Sequence, residues 1–431
     1  MSLVKSNHVK RAKADARPAD QIFYLILVAH FYFEYVRPAS VFPFLSPLKM
    51  GGILLFASIL IWVFRCSKDA LKDSMIKLYC LGLIQMLIWV PLARNNYYAF
   101  TNTSNLVYFL VGAILPLAAL LNSGERVRHF FHHWTVINFI VALVTIREGG
   151  KGTGGFLADE NDVGLAMNMA LPYAVYLSFD SDITKRRRIF YWLCILVILF
   201  AIVYSRSRGA LVGFAAVLLV MWLLSEKRIK HLSIGLLTTV LFGGIIVAML
   251  PEGYSERMMT ASDPNNSTRV ERIYSWSIGW VMFRENPIFG VGPGNFPYHV
   301  IDYQDEVVRP KGRPPIAGRV AHSLYFTLLP ELGLFGCMIF AFLVGSVVSR
   351  MRKIYKSKHA RDSDGQLNNY GLIAKANVVS LAAYLSAGAF ITVNYYPNFW
   401  FLIGFSVALY RQFFKSFPDA LLKNGRAIKS R

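Results

Sequence analysis

Four arginines and a histidine hold most of the chemistry this sequence offers. SRSRGA, residues 205–210, places Arg206 and Arg208 in a tight connection between two apolar stretches. Ionisable groups at membrane depth are costly and usually face a cavity or a partner. The alternative is that both snorkel to phospholipid headgroups. Arg269 and Arg272 stand one turn apart in TRVERIYSWSIGWVMFREN, residues 268–286. Two guanidinium forks on one face can grip a phosphate bidentately, and a helix N-terminus adds a favourable dipole for an anion. Headgroup contact, or pairing with Glu271, is the plainer use of either. Taken as a set, four arginines near one side of a membrane suit a diphosphate. His322, in RVAHSLYFTLLPELG (residues 319–333), titrates near neutrality and can serve as a general base. A cap-region or interfacial role is the alternative. Glu331 would lie about 13 Å further along a straight helix, too far for direct contact with His322. It reads as a partner for a buried arginine or as a structural charge.

The glycine-rich run GVGPGNF, residues 290–296, invites a nucleotide reading and does not sustain it. A phosphate-binding P-loop needs a Lys and a Ser or Thr after its last glycine, and neither is present. A dinucleotide fingerprint needs Gly where this chain has Asn295, and Pro293 removes a backbone donor. A tight turn packing one helix against the next is the better physical reading. In FLADENDVGLAMNMALP, residues 156–172, Asp159, Glu160, Asn161 and Asp162 could bind a cation or sugar hydroxyls. They could equally cap a helix, and capping is assigned to Asp162 with Asn161 left open. EYVRP, residues 34–38, offers a Glu34–Arg37 salt bridge. Cys66, Cys80, Cys194 and Cys337 lie in or beside apolar stretches without CxxC or metal spacing, so no metal or disulfide framework is expected.

The elements that position these residues must be membrane helices. The chain is 55% hydrophobic and only 16% charged, against about a quarter charged in soluble domains. Helices need about 20 mostly apolar residues to cross a bilayer. Twelve candidate spans follow, at 21–37, 50–66, 75–93, 104–122, 129–147, 162–180, 189–205, 209–225, 231–250, 323–349, 371–394 and 396–414. The net charge of +21 does not indicate nucleic acid, because the basic residues fall in short clusters between the spans. With the N-terminus inside, the cytoplasmic segments hold 31 of the 46 Lys and Arg and the short outer loops hold seven. The remaining eight lie in loop 251–322, which is too long for the positive-inside rule to govern.

The expected organisation is thus a basic cytoplasmic tail (1–20), nine spans (21–250), a long outer loop (251–322), three spans (323–414) and a basic cytoplasmic tail (415–431). The apolar stretch after the basic N-terminus ends in YVRP without a small-residue cleavage site, so it reads as a retained first helix. Within the long loop, Ile273, Trp276, Trp280 and Phe283 share one helical stripe, which suggests an amphipathic helix at the outer interface.

SRSRG, the Arg272-x-x-x-Trp276 spacing, NPIFGVGPGNF and AHSLY…ELGLFG together resemble the O-antigen ligase-like family. This family includes O-antigen ligases, Wzy-type polysaccharide polymerases and protein O-oligosaccharyltransferases. The motif likeness covers about 205–336, and NPIFGVGPGNF is its most specific part. YVRP and DENDVGLAMNMALP also look like the ligases linked to exopolysaccharide gene sets. The family's hairpin arginine corresponds to Arg208, its arginine before the tryptophan to Arg272, and its re-entry histidine to His322. Arg206 and Arg269 are further diphosphate-binding candidates. Ser323 stands where members commonly carry Asn. Asn161, Glu331, Trp276 and Asn295 are candidates for substrate contact or support.

The resemblance implies an all-α integral membrane protein of glycosyltransferase C type with about twelve spans. It implies a bacterial inner membrane, both termini cytoplasmic and a site facing the periplasm. The reaction would be metal-independent and without cofactor. An undecaprenyl-diphosphate-linked glycan would pass to a lipid, glycan or protein hydroxyl, with inversion; His322 would be the base, and Arg208 and Arg272 would meet the leaving group. The partners are then that donor, the acceptor and membrane lipids, and not nucleic acid. A polymerase joining repeat units shares the same residues. A small-anion or glycan transporter would often show two similar halves, and no such repeat is visible. A structural scaffold would not need paired arginines and a histidine flanking one loop.

Overall fold

Apolar length and capping chemistry set the helices of this chain. The computed structural model describes residues 18–226, 267–310 and 315–421. In order, the helices are α1 (Pro18–Val36), α2 (Met50–Arg65), α3 (Ser74–Leu92), α4 (Asn96–Leu120) and α5 (Gly124–Arg147). Then come α6 (Glu160–Ser178), α7 (Lys185–Tyr204), α8 (Arg208–Leu223), α9 (Ser267–Glu285) and α10 (Phe296–Tyr303). The last are α11 (Leu324–Tyr355), α12 (Asn369–Ala387) and α13 (Pro397–Ser416). Asp73, Asn95, Ser123, Thr184, Ser207, Ser323 and Asn368 each accept a backbone N–H at a helix start, the usual task of these residue types.

The protein is an all-α membrane protein. Among the described residues, seven helices are long and apolar enough to cross a membrane, and the extended pairings are isolated bridges, Gly154–Leu157 and Arg361–Leu367. Each expected span apart from 231–250 coincides with a helix; 231–250 lies outside the described residues. α6, α12 and α13 form the centre, buried along nearly their whole length. Many side chains of α2, such as Phe56 and Phe64, face outward. That is the pattern of helices presenting apolar side chains to lipid.

Residues 267–323 carry a small core of their own. Tyr274, Ile278 and Met282 of α9 pack with Val291, Phe296, Val300, Ile316 and Ala321. The expected stripe of Ile273, Trp276, Trp280 and Phe283 therefore lies beside the buried face of α9 and not on it. Ile273 and Trp280 are about half exposed, and Trp276 stacks on Phe326.

At the opposite end of the bundle, ion pairs join helix ends. Arg350 meets Asp73 at 2.8 Å, and Arg128 meets Asp180 at 3.3 Å and Asp182 at 2.7 Å.

Candidate functional site

A break in α11 anchors the segment that follows α9. Gly333 leaves helical geometry at φ 62 and ψ −167, which frees backbone groups on both sides of it. The 287–292 segment supplies their partners. Leu334 N–H donates to Pro287 O (2.8 Å) and Phe335 N–H to Ile288 O (3.0 Å). In return, Val291 N–H donates to Pro330 O and Gly292 N–H to Glu331 O, both at 2.9 Å. The amide of Gln85 on α3 reaches Leu332 O at 2.7 Å. Irregular backbone inside a membrane protein is tolerated where protein re-satisfies it in this way. Glycine is required at the crossing, because a Cβ on Gly333 would sit 2.4 Å from Ile288 O and one on Gly290 2.4 Å from the Glu331 carbonyl carbon.

The glycine-rich run is therefore a clasp. The Glu331 side chain, only 2% exposed, accepts N–H from Gly294 (2.8 Å) and Phe296 (3.0 Å) and the hydroxyl of Tyr395 (2.6 Å). Asn295, fully buried, accepts the Asn95 N–H at 2.7 Å and donates to Asn95 O and Pro293 O. Glu331 and Asn295 thus hold the turn between α9 and α10 against α4, α11 and the loop before α13. The structural reading of Glu331 is the one its contacts support.

His322 is placed by α9. Trp276 donates its indole N–H to Ala321 O at 2.9 Å while stacking on Phe326, with ring centroids 5.2 Å apart and planes 4° apart. Glu271 and Arg319 pair at 2.7 Å and hold the preceding segment. Ser323 then caps α11 through the Phe326 N–H. Between these anchors His322 adopts φ 50, a left-handed conformation uncommon for a residue with a Cβ. Such strain persists only where the surroundings over-determine it, and it concentrates at functional sites. Arg206, in the SRSRG connection, shows the same feature at φ 49.

These anchors bring Arg208, Arg272 and His322 into one electrostatic neighbourhood. Burial is the main influence holding the Arg272 guanidinium below its usual range, the Arg208 charge adds to it, and Asp159 opposes it. Burial likewise leads the downward shift of His322, followed by Arg272, with Asp159 opposing. His322 is nonetheless exposed to solvent. An imidazole shifted below its ordinary value is neutral at pH 7 and able to accept a proton. Among the described residues, the Nε atoms of Arg272 and Arg206 are buried without a hydrogen-bond partner. Arg269 lies on the exposed first turn of α9.

Asp159, not Asp162, is the cap of α6. The chain enters the helix at Glu160, so Asp159 has the extended cap conformation and accepts the Asn161 N–H at 2.8 Å. Asp162 is already helical and turned inward, 7% exposed. Asn161 accepts the Ser207 hydroxyl at 2.7 Å and so ties this loop to the residue before Arg208. The Glu34–Arg37 pair does not form among the described residues; the Arg37 guanidinium lies against Gly155 and 5.7 Å from the centre of the Phe156 ring. Ser207, Tyr395 and Gln85 are not legible as site residues in the sequence, because a lone Ser, Tyr or Gln carries no spacing signal.

Among the described residues, no three His, Cys, Asp or Glu side chains converge as metal ligands. The charged groups acting on His322 are two arginines, Arg272 and Arg319, and two carboxylates, Asp159 and Glu271, and Arg208 in turn acts on Arg272. Residues 193–341 match the family model described as O-antigen ligase, Wzy_C. The matched segment runs from α7 into α11 and includes Arg206, Arg208, Arg269, Arg272, Trp276, Asn295, His322 and Glu331. No curated protein matches the chain. The match supports a membrane glycosyltransferase of ligase or polymerase type.

Proposed function

We propose, from the premise that this chain belongs to the O-antigen ligase-like family through residues 193–341, that it transfers a glycan from undecaprenyl diphosphate to an acceptor hydroxyl at the periplasmic face. The observation that carries the reading is the placing of Arg272 beside Arg208, partly dehydrated, next to an imidazole that stays neutral. Asp159 offsets part of the Arg272 charge, and both guanidinium groups would meet an anion arriving between them. A diphosphate supplies that anion, with oxygens for bidentate contacts.

In the reaction, the acceptor hydroxyl gives its proton to His322 as its oxygen attacks the anomeric carbon. The bond from that carbon to the diphosphate oxygen breaks, and the electron pair leaves with the lipid diphosphate. Arg208 and Arg272 meet the charge that grows on the leaving oxygen, the point at which fixed cations lower a barrier most. Attack opposite the leaving group inverts the anomeric configuration. Arg206 and Arg269 stand close enough in sequence to serve the outer oxygens of the donor.

The test is to incubate purified protein with undecaprenyl-diphosphate glycan, a chelator and a panel of hydroxyl acceptors, and to determine the anomeric configuration of the product. Transfer with inversion supports the reading; retention removes the single-displacement mechanism. Transfer to a second lipid-linked glycan, in preference to other acceptors, would assign the polymerase role. Anion uptake into liposomes without transfer would assign a transporter.

A further inference from the structure

Taking a proton turns His322 into a cation beside Arg272, and that step needs a counter-charge. The charged groups acting on His322 are Arg272, Asp159, Arg319 and Glu271. Glu271 and Arg319 pair with each other at 2.7 Å, so their fields at the imidazole largely cancel. Asp159 is then the carboxylate that offsets Arg272, and it acts on Arg272 as well as on His322.

The position of Asp159 is built, not incidental. One carboxylate oxygen accepts both the backbone N–H and the side-chain amide of Asn161, at 2.8 and 2.7 Å. The Asn161 carbonyl oxygen accepts the Ser207 hydroxyl at 2.7 Å, and Ser207 in turn caps α8 by accepting the Ala210 N–H at 3.1 Å. A continuous run of hydrogen bonds therefore joins Asp159 to the residue preceding Arg208. The starts of α6 and α8 are locked together, with the carboxylate at one end and the arginine at the other.

We propose that Asp159 is a positioning residue of this site: fixed through Asn161 to Ser207, its carboxylate offsets Arg272 and stabilises the imidazolium of His322 once the acceptor's proton has moved. The role rests on the transferase reading above. The proton passes from the acceptor hydroxyl to His322 alone.

Asp159→Asn tests this without sacrificing the fold, because Asn caps helices as well as Asp does. The full-length protein in detergent is labelled with 15N-histidine, the His322 signals are assigned by their loss in His322→Gln, and both nitrogens are followed against pH. In Asp159→Asn the His322 midpoint is expected to fall by roughly half a unit to one unit, the effect of one nearby charge in a partly solvated setting. In the transfer assay, the acid limb of the same variant moves down by the same amount and its plateau falls several-fold, since the base is weaker. Asp159→Glu restores part of both. A His322 midpoint unchanged in Asp159→Asn overturns the proposal, because a cap role alone moves neither readout. The titration needs no donor. A wild type that transfers nothing from any donor therefore counts against the transferase reading, while the titration alone decides the role of Asp159.

Discussion

Glu331→Ala removes one acceptor from three donors at once. The Gly294 and Phe296 N–H groups and the Tyr395 hydroxyl all end on its carboxylate, at 2.8, 3.0 and 2.6 Å. With the side chain 2% exposed, water does not readily replace it. Each buried donor left without an acceptor costs about 1–2 kcal/mol, so the variant should lose about 3–6 kcal/mol. Glu331→Gln keeps one carbonyl oxygen but sets an NH2 group against the remaining donors, and its loss should be about 1–3 kcal/mol. Unfolding titrated with SDS in mixed micelles reads these differences directly. The clasp also fixes the segment that follows α9, so transfer should fall in both variants although Arg208, Arg272 and His322 are intact. A Glu331→Ala protein within about 0.5 kcal/mol of wild type, the range of a neutral surface change, would refute the clasp.

Further outcomes follow from the same geometry. Gly333→Ala meets both a positive φ and a Cβ 2.4 Å from Ile288 O, and should cost more than about 1 kcal/mol in the same titration. Trp276→Phe keeps the stack on Phe326 but loses the bond to Ala321 O; about 1 kcal/mol of positioning is removed, and transfer should drop by about five-fold with little change in unfolding. The pH profile of transfer should rise through a midpoint below 6.5, because burial and Arg272 favour the neutral imidazole, and should be flat from there towards pH 8. A profile still rising at pH 8 would exclude His322 as the base.

The parts legible in the sequence were those set by local pattern. Apolar length marked the helices, and the four-residue interval from Arg272 to Trp276 placed both on the helix that presents them. The missing Lys and Gly around GVGPGNF exclude a nucleotide loop without reference to any contact. Tertiary facts were not legible. Glu331 finds its partners 35, 37 and 64 residues away, and nothing local announces them. The break at Gly333 looks in sequence like one more glycine in an apolar run. The choice between Asp159 and Asp162 as cap turned on where the chain enters α6, a boundary of three residues that composition does not resolve. The apolar stripe on α9 was visible, but its helix is apolar on a second face too, and that face is the buried one.

Whether Arg272 and His322 act on a lipid-linked diphosphate donor is decided by side-by-side transfer by the wild type, Arg272→Ala and His322→Ala. All three proteins are first shown to be monodisperse and equally stable. Transfer by the wild type and a loss of at least about 100-fold in each variant are expected, the usual scale for removing a general base or a charge-stabilising group. Transfer by His322→Ala at a rate near wild type would contradict the role of His322 as base.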